Sequence, residues 1–437
     1  RIDSGPRGPF RAALHFFRVQ GVRALLDDTG LLISDHDDLV TGHSPWGKQA
    51  APPERQTLTE SIKVDVAVIG GGITGALAAQ HLTALGLTVC VMDREKPGLG
   101  STSASTAMLQ WEIDARLSEL TEYYGFERAA AIYRRSHAAV GGLGNLVTSL
   151  GLSCAFLPRS TLYITGEEQE PRVLMEEAAL RQRAGLPSLF LSAGELRGQF
   201  GIARSGALHS PGSAEADPLC MAWGLMHAAM AAGAKLIDAS AEAFHEEGGR
   251  VTVETDGPFV VEARHAILAT GYIMPGFVMP EIHRISSSWA IATVMQAPEQ
   301  LWPEQPLIWE ASDPYLYMRN SAGNRIIVGG EDEEIDDPGE RDAKLPKKAE
   351  ILREKLHRLW PRAKPDIAYS WCGAFGETED GLPLIGKVPG TERIFAAYGY
   401  GGNGITFSYM AARMAGAFIF GQQREWFDDF ALDRPAP

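Results

Sequence analysis

Three glycines, Gly70, Gly72 and Gly75, follow the apolar run Val64-Asp65-Val66-Ala67-Val68-Ile69 at the spacing Gly-x-Gly-x-x-Gly. Glycine is common in this chain (47 of 437 residues), so the spacing alone carries little and its flanks give it meaning. A buried strand that runs into such a turn and then into a helix is built to hold a pyrophosphate. Gly70 allows the sharp turn, Gly72 lets the backbone come close to the phosphates, and Gly75 lets helix and strand pack tightly. The helix opening at Ile73 and Thr74 points unpaired N–H groups and a partial positive charge at the same anion. Asp93, followed by Arg94, closes the next strand, Thr88 to Met92, where its carboxylate would accept hydrogen bonds from an adenosine ribose. The pattern predicts a dinucleotide site, the alternative being a plain βαβ turn.

The elements that position these residues are spread along the chain. Strand, glycine turn, helix (Ile73 to Leu85) and strand occupy 62 to about 100. Helical patterns follow around 114–150 and 171–184, with a strand at 160–165 between them. Asp217-Pro218 reads as a helix start, with Asp217 as cap and Pro218 in the first turn. After Gly233 the chain turns to strands: a hairpin at 250–254 and 258–263, then the apolar strand His265 to Ala269 ending on Thr270-Gly271. Residues 315–319 and 325–329 form another hairpin, and a charged helix spans 343–359. Ile394 to Ala397 is a third strand that ends on glycines, Gly399, Gly401, Gly402 and Gly404, and a helix of about 405–420 follows. Three glycine-terminated strands separated by long inserts describe one discontinuous α/β domain, Rossmann-like, interrupted by a second domain built on a mixed or antiparallel sheet.

Charge and cysteine usage narrow the function classes. Forty basic against 55 acidic residues give a net charge of −15, which argues against a broad nucleic-acid or anionic-membrane surface. No uninterrupted apolar stretch of about 18 residues occurs, so no membrane span is expected. Cys90, Cys154, Cys220 and Cys372 are widely spaced, without a Cys-x-x-Cys pair, so neither a disulfide scaffold nor a metal site is expected and a cytoplasmic setting fits. Residues 1–60 lack sustained periodicity. Arg1, Arg7, Arg11, Arg18 and Arg23 around the apolar run Phe10 to Val19 resemble a weak amphipathic targeting helix, but an irregular extension is the preferred reading.

At this point the sequence resembles the D-amino-acid-oxidase-like superfamily of FAD-dependent oxidoreductases, which includes glycine oxidase and sarcosine oxidase. The resemblance rests on Gly70 to Gly75 with Asp93, on Gly98-Leu99-Gly100-Ser101-Thr102-Ser103, and on Gly206-Ala207-Leu208 with Asp217-Pro218. It continues through Ala269-Thr270-Gly271, Trp371-Cys372-Gly373, Thr378-x-Asp380-Gly381-Leu382-Pro383 and the loop from Ala397 to Gly404, and covers roughly 62–420. It implies FAD as cofactor, a small-molecule substrate, and an FAD-binding domain made of 61–105, 206–275 and 365–437. The substrate domain would comprise 106–205 and 276–364, with 1–60 as an arm. It also implies that Gly100, Ser101 and Thr102 approach the second phosphate and ribitol. It implies further that Thr270 and Gly271 close the second of the glycine-terminated strands, and that Gly401, Gly402, Asn403, Gly404 and Ile405 present a helix start to the flavin pyrimidine ring.

The substrate end departs from the family's amino-acid oxidases. The arginine that glycine-oxidase-like enzymes carry for the substrate carboxylate falls on Phe375, and other family cations fall on Gly402 and Thr406. A carboxylate wants a bidentate Arg or a Lys, so an α-amino acid in the usual pose is in doubt. Tyr315 and Tyr317 share a strand face with Arg319. Tyr315 matches a substrate-contacting tyrosine of the family, and Arg319 could add a cation; the alternative is a surface hairpin. Met108, Leu109, Gln110 and Trp111 would pass the flavin face, with Gln110 as the polar member able to orient substrate, or all four could simply fill core. Cys372 falls one residue from the position of cysteine-linked flavins, so non-covalent FAD is expected. His209 and His283 are read as structural. The leading expectation is oxidation of a C–N bond of an amine or amino-acid derivative. A dehydrogenase of a hydroxy acid or polyol phosphate, and a non-catalytic flavoprotein subunit, stay open beside it.

Overall fold

A computed structural model of the chain describes residues 40–435, apart from 168–169, 279–281, 313 and 315. The expected amphipathic segment between Phe10 and Val19, and the candidate Tyr315, lie outside the described residues.

Two sheets organise these residues. The first runs in the order Ala241–Glu247, Arg250–Thr255, Val260–Leu268, Ile62–Ile69, Val89–Asp93, Lys235–Asp238 and Gln56–Thr57. Its central strands are parallel and read as unbroken apolar runs because both faces are covered. The second strand of the expected hairpin and the buried strand expected after it are one long strand, Val260–Leu268, that changes neighbours along its length. Its first half pairs antiparallel with Arg250–Thr255, and its last residues, Ala266 to Leu268, pair in parallel with Ile394–Tyr398. The helices Ile73–Ala84, Pro218–Ala231 and Gly404–Ile419 pack together on this sheet. Ile73–Ala84 has almost no amphipathic character because it is enclosed by its neighbours, and Gly75, Ala76, Ala78 and Ala79 allow the close approach. A Cβ on Gly75 would collide with the Gly70 carbonyl oxygen.

The second sheet runs Val40–Gly42, Ile367–Thr378, His283–Thr293, Ile326–Glu333, Leu316–Asn320, Leu307–Ala311, Leu157–Thr165, Gly206–Glu215 and Met108–Leu109, with Leu189–Ser192 beside Gly206–Glu215. It is mainly antiparallel, but Leu307–Ala311 and Leu157–Thr165 are parallel. The helix Pro338–Leu359 covers one face, burying Leu352 and Leu356 with Trp289, Val328 and Cys372.

Several expected boundaries move. Gly206–Glu215 and Ile367–Thr378 belong to the second sheet, through pairing with Leu157–Thr165 and His283–Thr293. The chain therefore re-enters the first layer at the Asp217 cap, whose carboxylate accepts the Cys220 N–H at 2.9 Å. The arm contributes to both sheets: Val40–Gly42 pairs with Trp371 to Gly373, and Gln56–Thr57 with Ile237 and Asp238. Backbone pairing decided these memberships, and single-strand periodicity does not report which partner a strand takes.

No helix among the described residues is long and apolar enough to cross a membrane. The four cysteines are buried and free, and no cluster of metal-ligating side chains occurs among the described residues.

Candidate active site

The glycine turns of the first sheet and the inner face of the second enclose a cavity of about 870 Å³. One part of it lies at the strand-to-helix turn after Ile69. Gly70 adopts φ 104°, and a Cβ there would strike the Ala269 carbonyl, so this crossing of two strand ends requires glycine. Gly72 caps Ile73–Ala84 with no side-chain hydrogen bond of its own and no acid in the first turn, so the helix start, apart from the Ile73 N–H, remains available to an anion. The Thr102 hydroxyl accepts the Ile73 N–H at 3.0 Å and joins the 97–105 loop to this start.

That loop is also held by three indoles, of which only Trp371 stands in one of the motifs. Trp223, Trp371 and Trp46 donate their Nε1–H to the carbonyls of Pro97 (2.7 Å), Ala104 (2.8 Å) and Ser105 (2.9 Å). They come from a helix, the second sheet and the arm, so their convergence is a product of folding. The Thr74 hydroxyl lies 2.7 Å from Ser408 Oγ, which ties the first helix start to Gly404–Ile419. That second helix also begins without a side-chain cap or a first-turn acid.

Asp93 lines the cavity, and its carboxylate accepts N–H groups from Gly71 at 2.6 Å and Glu95 at 2.9 Å. Burial pushes its carboxyl up to about 6, against the opposing pull of these two donors. Arg94, Gly100, Ser101, Thr270, Gly271, Gly401, Gly402, Gly404 and Ile405 also line the cavity. Gly75 and Asn403 do not. Gly75 serves packing, and Asn403 Nδ2 donates to the carbonyls of Glu112 (2.8 Å) and Gln110 (3.3 Å), holding the last loop against the strand that follows the second phosphate loop. Phe244, Met274 and Phe277 form an apolar wall near Asp93's end, which the sequence reading did not single out.

The substrate-side candidates separate. Met108 and Gln110 face the cavity, while Leu109 and Trp111 are fully buried in the core, so strand-like alternation divides the four residues. Gln110 Nε2 is buried without an acceptor in the protein. Arg319 is 1 % exposed and does not reach the cavity wall. Its guanidinium donates to the carbonyls of Thr106 (2.6 Å) and Ala216 (2.9 Å) and lies 3.5 Å from Glu215. Tyr317, two residues earlier on the same face, does line the cavity, with its hydroxyl 3.1 Å from Ser288 Oγ. The Tyr317 ring lies across Gly329 on the paired strand, where any Cβ would collide with it. Burial raises its phenol above the ordinary tyrosine value, and Asp332 and Asp114 reinforce the shift.

Phe375 lines the cavity at the position expected to lack a cation, and Thr406 is buried, donating to the Gln110 carbonyl at 2.9 Å. Cys372 faces away into the core under Pro338–Leu359, its thiol 3.5 Å from Asp342 Oδ1. His283 is buried against Tyr398, and burial pushes it down to about 4. His209 packs on Phe200 outside the cavity.

Two acids of the far end, Asp114 and Asp332, and the indole of Trp309 were not foreseen. Asp114 lines the cavity with an exposed side chain, and one carboxylate oxygen accepts the Gly402 N–H at 2.7 Å. Desolvation by the surrounding cavity walls pushes its carboxyl up to about 6 even though the side chain stands open to the cavity; the Gly402 N–H opposes this and Glu377 adds to it. The signal was available as an acid shortly after the phosphate loop, but the helical pattern expected from about 114 absorbs it, and in the structure that helix begins only at Leu117.

A family model described as FAD dependent oxidoreductase matches residues 65–417. Gamma-glutamylputrescine oxidoreductase of Escherichia coli is 26% identical over 385 residues, covering 86% of this chain and 88% of the relative. Glycine oxidase of Geobacillus kaustophilus is 26% identical over 365 residues, covering 79% and 90%. Among solved structures, glycine oxidase from Geobacillus kaustophilus aligns with a TM-score of 0.72 at 21% identity, over 86% of this chain and all of that one. L-proline dehydrogenase from P. horikoshii aligns at 0.71 and 18% identity, over 86% and 98%.

Proposed function

The chain belongs to the FAD dependent oxidoreductase family, and on that premise we propose that it oxidises a C–N bond of an amine or amino-acid derivative. The residues present fit the cofactor. Two uncapped helix starts, the glycine cradle at Gly70 and Gly72, and a carboxylate at Asp93 answer a pyrophosphate and a ribose, and the orphaned Gln110 Nε2 suits an acceptor on a bound molecule. FAD, when bound, supplies the two-electron acceptor that takes a hydride from the carbon beside nitrogen.

The protein's own part is placement and exclusion of water. Gly70, Gly72, Ser101 and Thr102 would hold the phosphates, Asp93 the adenosine ribose, and Gly404 and Ile405 would present a positive helix end to the flavin ring system. Trp309, Tyr317 and Phe375 wall the far end and would press the substrate into register. No general base is required for an amine that arrives neutral.

The observation that carries the amine reading is the charge of this far end. A hydroxy acid or a polyol phosphate requires a cation, and the one Arg, Lys or His side chain among the described cavity residues is Arg94, beside Asp93. The relatives named for glycine and gamma-glutamylputrescine support the same reading. Anaerobic titration of the purified holoprotein with a panel of amines and hydroxy acids, followed by bleaching of the flavin absorbance, tests it. Amines bleach the flavin on this reading; bleaching by hydroxy acids alone overturns it in favour of C–OH chemistry. No bleaching with any ligand favours a flavoprotein subunit without turnover of its own.

A further inference from the structure

We propose that the substrate is a cationic amine without a carboxylate, and that Asp114 holds its distal ammonium while the other nitrogen faces the flavin. This assignment rests on the amine-oxidising reading and narrows its substrate class.

Three independent features lead to it. The first is the setting of Asp114. Its carboxylate lies against the backbone of Gly401 and Gly402, where a Cβ on either glycine would collide with it, and it takes the Gly402 N–H at 2.7 Å. No Lys, Arg or His forms an ion pair with it among the described residues. An exposed carboxylate that lines the cavity with one protein hydrogen bond and no counter-cation can take a cation that arrives with the ligand.

The second is the sign of its surroundings. Asp332 lies at the same end, and the Tyr317 phenol feels the charge of both acids. With Phe375, Gly402 and Thr406 at the positions where a carboxylate-binding cation would stand, no Arg, Lys or His side chain lines this end among the described residues. The third is the wall. Tyr317, Phe375 and Trp309 (one face of which stacks on Tyr163) line this end with aromatic carbon suited to a methylene chain and to an ammonium. Trp309 Nε1 and Gln110 Nε2 are buried and meet no acceptor in the protein. The lone pair of a neutral amine, or an acyl carbonyl on the chain, would satisfy such donors.

The test uses three ligands of matched length that differ at the distal end: 1,4-diaminobutane, butylamine and 4-aminobutanoate. Flavin reduction is followed anaerobically in the wild-type holoprotein and in Asp114→Asn, whose side-chain oxygen can still accept the Gly402 N–H. The wild type binds the diamine about tenfold or more tighter than butylamine, and 4-aminobutanoate weakest, as one ion pair at a partly desolvated site requires. In Asp114→Asn the order collapses to within about threefold while the FAD content is kept, and Asp114→Glu restores it in part. The change falls on the apparent Kd rather than on the limiting reduction rate.

Equal or tighter binding of 4-aminobutanoate by the wild type overturns the assignment. So does an unchanged order in Asp114→Asn, or collapse of the order in Asp332→Asn instead. If no amine bleaches the flavin, the C–N reading fails separately. The ligand-induced shift of the flavin absorbance still ranks the three ligands and decides the role of Asp114. Absence of any shift with the diamine at about 10 mM, a concentration far above a useful Kd, also overturns it.

Discussion

The hydroxyl of Thr102 accepts the N–H of Ile73 at 3.0 Å, so the second phosphate loop is fastened to the first helix start by one bond. Thr102→Val keeps the shape and removes the acceptor. The Ile73 N–H is buried, and an unpaired buried donor costs about 1–3 kcal/mol, or roughly ten- to a hundredfold in FAD affinity if the loops separate. Titration of apoprotein with FAD, read by quenching of flavin fluorescence, measures this; an unchanged Kd would show that the loops are fixed by the three indoles alone.

Gly72 and Gly75 respond differently to substitution. A Cβ on Gly72 meets little protein, with Thr102 Oγ1 at 3.1 Å, and projects beside the cavity. Gly72→Val is therefore expected to fold and to purify colourless. Gly75→Ala drives a methyl into the Gly70 carbonyl and is expected to cost about 1–3 kcal/mol of stability. Circular dichroism melts with flavin absorbance separate the two outcomes, and a yellow Gly72→Val protein contradicts the cradle assignment.

Cys372 is turned from the cavity by its place between Trp371 and Gly373, both of which line it. The flavin is thus expected to be non-covalent. Acid precipitation should leave all of the yellow colour in the supernatant, and Cys372→Ser should not alter that partition. Flavin retained in the wild-type pellet but not in the Cys372→Ser pellet would reverse the conclusion.

Arg434 and Asp380 form a buried two-bond ion pair, at 2.8 and 2.9 Å, and the Tyr124 hydroxyl donates to the same carboxylate at 2.6 Å. Burial alone would raise the Asp380 carboxyl, but Arg434, Tyr124 and the Leu382 N–H hold it below its ordinary value of 3.8. With the folded value depressed, the pair's contribution is complete above the unfolded value and is lost as pH falls from about 4 through the folded value. Arg434→Met leaves a buried carboxylate alone and is expected to cost about 3–5 kcal/mol near neutrality. The loss should shrink below pH 4, where Asp380 takes up its proton. Denaturant melts at pH 7 and pH 3.5 check the sign, and a loss that grows in acid would contradict it.

Much of the cofactor end was legible in sequence because it is written in short-range code. Gly70, Gly72 and Gly75 act within one turn, and Asp93 ends the adjacent strand, so spacing and periodicity suffice. The Asp217-Pro218 start was legible for the same reason. The substrate end was not. Tyr317 and Arg319 share a strand face, yet one lines the cavity and the other spends its guanidinium on the Thr106 and Ala216 carbonyls. Alternation reports a face, but not how far along that face the cavity extends.

The sequence by itself determined the glycine turn between Ile62–Ile69 and Ile73–Ala84, the presence of Phe375, Gly402 and Thr406 rather than cations at those positions, and the interrupted α/β order of elements. Only the tertiary structure decided that Gly206–Glu215 and Ile367–Thr378 pair within the second sheet, that three distant tryptophans clamp one phosphate loop, and that Asp114 meets Gly402. The physical reason is the range of the interactions. Glycine conformation and helix starts are set by neighbours in the chain, whereas strand partners and the charge inside a cavity depend on residues brought together from far apart.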